Sequence, residues 1–98
     1  MIKINQIKPN FTEIILHDTQ DSGDHLKVYF SYQTMIAFEL NYELTISENE
    51  WGTTTGKHLN YINADKTKRI PRHEVEKEFF SKINLFTIYR IKKEFVDA

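Results

Sequence analysis

The sequence predicts an α+β domain: an antiparallel sheet of four to five strands in a meander, followed by two to three helices packed on one face. Three observations predict it. Apolar and aromatic residues recur at even positions from Leu26 to Ile46, the period of a half-buried strand. From Thr53 that period stops, and Leu59 with Ile62, then Val75, Phe79 and Ile83, recur at helical spacing. Polar, turn-forming segments at Lys8-Pro9-Asn10 and from Asp18 to Asp24 divide the first half of the chain.

Taken in order, Ile2, Ile4 and Ile7 form a first strand, and Phe11 to His17 a second. Its run Ile14-Ile15-Leu16 is apolar on both faces, which requires cover on each side, with a helix over one. Asp18 to Asp24 is a surface loop by composition. In the next hairpin a three-residue turn at Tyr32-Gln33-Thr34 matches Phe30 with Ile36, Val28 with Phe38 and Leu26 with Leu40. A second turn at Asn41-Tyr42-Glu43 matches Leu40 with Leu44 and Phe38 with Ile46, so the apolar residues converge on one side. Lys27, Tyr29, Glu39, Thr45 and Ser47 fall on the opposite, mixed face. One of Thr53, Thr54 and Thr55 N-caps a helix over about 54–63, whose stripe Thr55, Leu59 and Ile62 faces the sheet. A basic connector leads to Pro71, suited to the first turn of a helix carrying Val75, Phe79 and Ile83. Asn84 breaks it, and Leu85, Ile88, Tyr89, Phe95 and Val96 form another amphipathic stretch that suits a homodimer seam. The expectation is a single domain over 1–98, with the sheet in 1–50, a short helix in 53–64 and a helical part in 71–96.

Composition narrows the function classes. The 98 residues hold one modest core, 40% of them hydrophobic. The absence of cysteine excludes disulfides and thiolate metal sites. Neither a signal-peptide pattern nor a run of roughly 18 apolar residues is present, so the expected address is the cytoplasm of a host cell, without membrane insertion. The net charge of −1 hides a polarity. Residues 13–56 carry the acids Glu13, Asp18, Asp21, Asp24, Glu39, Glu43, Glu48 and Glu50 against the single base Lys27, whereas residues 65–98 are mildly basic.

No motif marks catalysis. His17, His25, His58 and His73 lie at no metal-ligand spacing, and neither a metal nor a cofactor is expected. Thr54 and Thr55 lie one helical turn from His58, the nearest approach to a nucleophile and base, but threonines before a helix are what a cap requires. Gly52-Thr-Thr-Thr-Gly-Lys57 is one residue short of a phosphate loop, and His58 stands where that loop has Ser or Thr. Two surfaces remain. The acids Glu39, Glu43, Glu48 and Glu50 suit a protein partner with a basic groove; Lys66, Lys68, Arg69 and Arg72 suit nucleic-acid phosphates.

Tyr32, Thr34, Ile36 and Ala37, followed by Trp51, Thr54, Thr55, Lys57, His58 and Asn60, match a pattern that resembles small proteins encoded by phages and plasmids of low-GC bacteria. Those proteins tend to show a Tyr-x-Thr-x-Ile/Val-Ala hairpin, then an aromatic residue, Ser, x, Thr-Thr, x-Lys-His-x-Asn; here Gly52 replaces the Ser. The resemblance covers about residues 28–62 and implies a non-enzymatic accessory protein that binds a host protein, in the manner of inhibitors of CRISPR effector nucleases. On physical grounds Trp51 plugs the end of the sheet, Thr54 and Thr55 cap the helix, and His58 and Asn60 tie it to the preceding loop. The leading expectation is thus an anti-defence binding protein acting through its acidic side; the alternative is a nucleic-acid-binding accessory protein using the basic connector.

Overall fold

The computed structural model describes residues 2–17 and 25–83. Five strands run as an antiparallel meander: β1 (Ile2–Lys8), β2 (Phe11–His17), β3 (His25–Ser31), β4 (Thr34–Leu40) and β5 (Glu43–Ser47). Helix α1 (Thr53–Ile62) and a 3-10 turn (Lys66–Lys68) then carry the chain to β6 (Arg69–Ile70). β6 pairs parallel to β5, Ile46 with Arg69 and Ser47 with Ile70. A parallel neighbour needs such a crossover, because no tight turn can return the chain in the same direction. The segment read as a connector from sequence therefore supplies the sixth strand. A second helix, α2, covers residues 72–83, where the described chain stops. The Asp18 to Asp24 loop, the break at Asn84 and the amphipathic stretch 85–96 lie outside the described residues.

The expected one-sided sheet is corrected by its register. Leu26 faces Leu40 and Val28 faces Phe38, as the alternation requires, but both hairpin turns contain two residues instead of three. In the second turn Asn41 and Tyr42 take φ of 50° and 70°. Paired positive φ gives the twist that closes a two-residue hairpin. Glu43 then faces Leu40, and Leu44 and Ile46 face Glu39 and Ala37, on the other side of the sheet from Phe38. In the first hairpin Ser31 faces Thr34 and Phe30 faces Met35, while Tyr29 faces Ala37, so Ile36 is an extra residue in β4. Such a bulge lets two successive side chains point the same way. Ile36 and Ala37 accordingly share one cluster, and Met35 and Phe38 the other.

Among the described residues the sheet thus has two apolar faces, with α1 on one and α2 on the other, not a single face bearing both helices. On one side Leu59 of α1 is buried with Phe11, Tyr29, Ile36, Ala37 and Ile46, flanked by Trp51 and Ile62. On the other, Val75 of α2 is buried with Leu26, Val28 and Phe38, flanked by Phe30, Ile70 and Phe79. The set expected opposite the core divides accordingly: Lys27, Tyr29 and Glu39 share the α1 side, and Thr45, paired with Phe38, belongs to the α2 side with Ser47. The α1 stripe of Thr55, Leu59 and Ile62 faces the sheet as expected, the first two buried and the third half-buried. Phe38 meets Phe79 edge to face at 5.3 Å and has no exposed surface.

This partition is testable by coupling. Ile46→Ala and Leu59→Ala should each cost about 2–5 kcal/mol in urea denaturation. Their double mutant should depart from additivity by at least about 0.5 kcal/mol, whereas Ile46→Ala with Val75→Ala should add. Coupling of Ile46 to Val75 instead would restore the one-sided sheet.

Candidate functional site

The segment before α1 is organised by Asn49. Its side-chain oxygen accepts from the Trp51 N–H at 3.0 Å, and its amide nitrogen donates to the Gly52 carbonyl at 3.1 Å. The same amide passes so close to Gly56 that a Cβ there would lie 2.9 Å from Asn49 Nδ2 and would have to push that side chain aside. The N-cap of α1 is Gly52, without a side-chain bond, so the threonines do not cap the helix as the sequence suggested. Thr53, Thr54 and Thr55 form its first turn instead.

Thr55 reaches inward. Its Oγ1 lies 2.9 Å from Ser31 Oγ, which in turn lies 2.7 Å from His58 Nδ1, and all three residues are buried. The His58 ring stacks on Phe11 at 4.5 Å and 10°, and Tyr61 meets Phe11 edge-on at 5.5 Å. Lys8 Nζ lies 5.2 Å from the Tyr61 ring centre. Burial, followed by the charge of Lys8, holds His58 below its ordinary pKa and so favours the neutral ring. A serine and histidine 2.7 Å apart have the reach of a nucleophile and base, but Ser31 is only 2% exposed and its Oγ is already shared with Thr55. The arrangement pins α1 to β3. Nearby, Tyr29 is pushed up to about 12, first by burial, then by the charges of Glu13 and Glu39 and a hydrogen bond to Glu13.

Above this network lies a cleft of about 390 Å³, lined by Ser31, Tyr32, Thr34 and Ile36 from the first hairpin and by Trp51 to Thr55. Tyr32 is 55% exposed and holds φ of 56°, a left-handed conformation that costs a side-chain-bearing residue free energy. Its N–H donates to the Asn10 carbonyl at 2.7 Å, which fixes the turn against the one between β1 and β2. On the far side Trp51 is half-buried, with the Arg72 guanidinium 5.4 Å from its ring centre. The cleft thus presents aromatic rings and the hydroxyls of exposed Thr53 and Thr54 over a floor that includes Ser31 and Thr55.

The other residues singled out from sequence do not assemble into one surface. Glu39 lies on the α1 side of the sheet, and Glu43 on the α2 side, 3.9 Å from Lys82. Glu48 lines a small depression with Lys66 and Arg69, and Glu50 accepts the Arg72 N–H at 2.7 Å, capping α2. Of the four bases, Arg69 donates to Asn60 at 2.8 Å and to the Asn63 carbonyl at 3.3 Å, and Arg72 pairs with Glu76 at 3.2 Å. Lys66 and Lys68 are exposed. Asn60 ties α1 to β6 through Arg69, not to the preceding loop, and His58 ties it to β3. No cluster suited to a metal ion occurs among the described residues. Sequence reasoning missed Ser31 and Phe11; a serine flanked by Phe30 and Tyr32 at a strand end was the available signal.

The His58 assignment fixes a pH dependence. Its folded pKa lies below the unfolded value of 6.5, so the unfolded chain takes up the proton first. The stabilising contribution is complete above about 6.5 and is lost as pH falls from there toward the folded pKa. Urea midpoints should decline over that interval in the wild type, and His58→Gln should remove that part of the decline while costing about 1–3 kcal/mol at neutral pH. Identical pH profiles for both proteins would refute the buried neutral ring.

No curated protein and no solved structure matches the chain. Residues 2–80, which include α1, the α2 residues Val75 and Phe79 and every wall of the cleft, match the family DUF8033, a family of unknown function. The chain therefore belongs to DUF8033.

Proposed function

We propose that the protein acts without catalysis, by binding another protein at the cleft between the β3–β4 turn and the start of α1. The observation that carries this reading is convergence. The two segments separated by more than a dozen residues in sequence, Ser31 to Ile36 and Trp51 to Thr55, wall one open cavity. Its rim carries Tyr32 and Trp51, aromatic types that are enriched among interface anchors and lose little rotamer entropy on binding. An exposed tyrosine fixed in the hairpin turn by a backbone bond to Asn10 further supports a binding role, since the turn holds its ring at the rim of the cleft. The burial of Ser31 and His58, and the sharing of Ser31 Oγ with Thr55, support a holding role for this pair. The separation of Glu39, Glu43, Glu48 and Glu50 moves the proposed contact away from an acidic surface. The resemblance to mobile-element proteins directs the search for the partner to host proteins, defence nucleases first.

Tyr32→Gly separates binding from folding. Glycine accepts φ of 56° without cost, so stability should stay within about 1 kcal/mol of wild type while the aromatic anchor is lost. Thr54→Arg, at an exposed position, should fill the cleft without touching the core. A host protein retained stoichiometrically by the wild type should be held at least about tenfold more weakly by either variant, a loss of about 1.4 kcal/mol. Retention unchanged by both, or salt-sensitive retention on nucleic acid that is abolished by neutralising Lys66 and Lys68, would overturn the reading.

A further inference from the structure

The outer edge of β1 is the other feature that calls for a partner. β1 ends the sheet, and only its inner edge is paired among the described residues, from Ile2 with Leu16 to Lys8 with Phe11. Natural edges are blunted by bulges, charge or proline. Here the irregularity between Gln6 and Lys8, the lysine and Pro9 all lie at the C-terminal end of the strand, and Lys3 belongs to the α1 side. Ile2 to Gln6 is left regular, with Ile2 68% and Ile4 67% exposed.

These isoleucines end two apolar rows that begin in the core. Through successive pairings, Leu40, Leu26, Leu16 and Ile2 form one row, and Phe38, Val28, Ile14 and Ile4 the next. Each row is covered by α2 at β3 and β4 and emerges uncovered at β1. A row that is apolar to its last residue is unlike a solvated edge, where alternation ends in polar groups.

We propose that a second copy of the chain pairs with this edge, β1 antiparallel to β1, about a two-fold axis at Ile4. Antiparallel self-pairing of a strand is isologous, so the register must be self-complementary. An axis at Lys3 would set Lys3 against itself, and an axis at Asn5 would set Ile2 opposite Lys8. The axis at Ile4 sets Ile4 opposite Ile4, Lys3 opposite Asn5 and Ile2 opposite Gln6, with no like charges facing. It also joins the two rows ending in Ile4 into one stripe across both copies, beneath an α2 helix at either end. Edge pairing buries less surface than a standard interface, so the dimer should be reversible, with a dissociation constant on the order of 10 μM.

Sedimentation of the full chain should show a concentration-dependent shift from monomer to dimer. Ile4→Lys and Ile4→Glu should each be monomeric at every concentration with unchanged circular dichroism, because residue 4 is mostly solvent-exposed. Mixing the two should restore a heterodimer, the signature of residue 4 facing residue 4. The native chain has no cysteine, so Ile4→Cys should oxidise to a symmetric disulfide, faster than Ile2→Cys or Gln6→Cys. A wild type monomeric throughout, variants that dimerise like wild type, or a mixture that stays monomeric would each overturn the proposal.

Discussion

Between Tyr29 and Phe30 of β3, the facing strand carries one residue more, and the extra one, Ile36, turns to the same side as Ala37. That local surplus is the constraint on which the rest of the structure depends. It returns Phe38 and Leu40 to the α2 side after the tight turn at Tyr32 and Gln33 has been closed. The two-residue turn at Asn41 and Tyr42 then delivers Leu44 and Ile46 to the α1 side. A sheet with two apolar faces needs two covers, and the crossover from β5 through α1 to β6 supplies one while α2 supplies the other.

The same geometry builds the site. With Ile36 and Ala37 on the α1 side, Ser31 at the end of β3 lies beneath the first turn of α1 and bonds both Thr55 and His58. The bonds are buried and fully shared, so the helix start is held where its outer threonines and Trp51 face the hairpin turn. Burial favours the neutral form of His58 and leaves Ser31 only 2% exposed. The hydrogen bonds of this pair hold α1 against β3 beside the wall of an open cleft.

Much of the fold was legible in the sequence: the meander, the first five strands to within one residue at the two turns, and α1 to within one residue at either end. Alternation gave Leu26 with Leu40 and Val28 with Phe38, because those pairs lie on the regular side of the bulge. It misled at Ile46, because a bulge and two short turns change parity without changing composition, and a period of two is blind to such slips. β6 was hidden because two residues carry no period at all. Of the site, Trp51, Thr54, Thr55 and His58 were singled out, with the threonines assigned to capping. Gly52 took that role, and only the tertiary placement of Ser31 explains where the hydroxyl of Thr55 goes.

The register of β4 against β5 is the claim from which the two-faced sheet follows. Nuclear Overhauser contacts between backbone protons of these strands measure it directly. Cross-strand contacts of Ala37 with Ile46 and of Glu39 with Leu44 are the expected result. Contacts of Phe38 with Ile46 and of Leu40 with Leu44 would place all the apolar residues on one side and contradict the account.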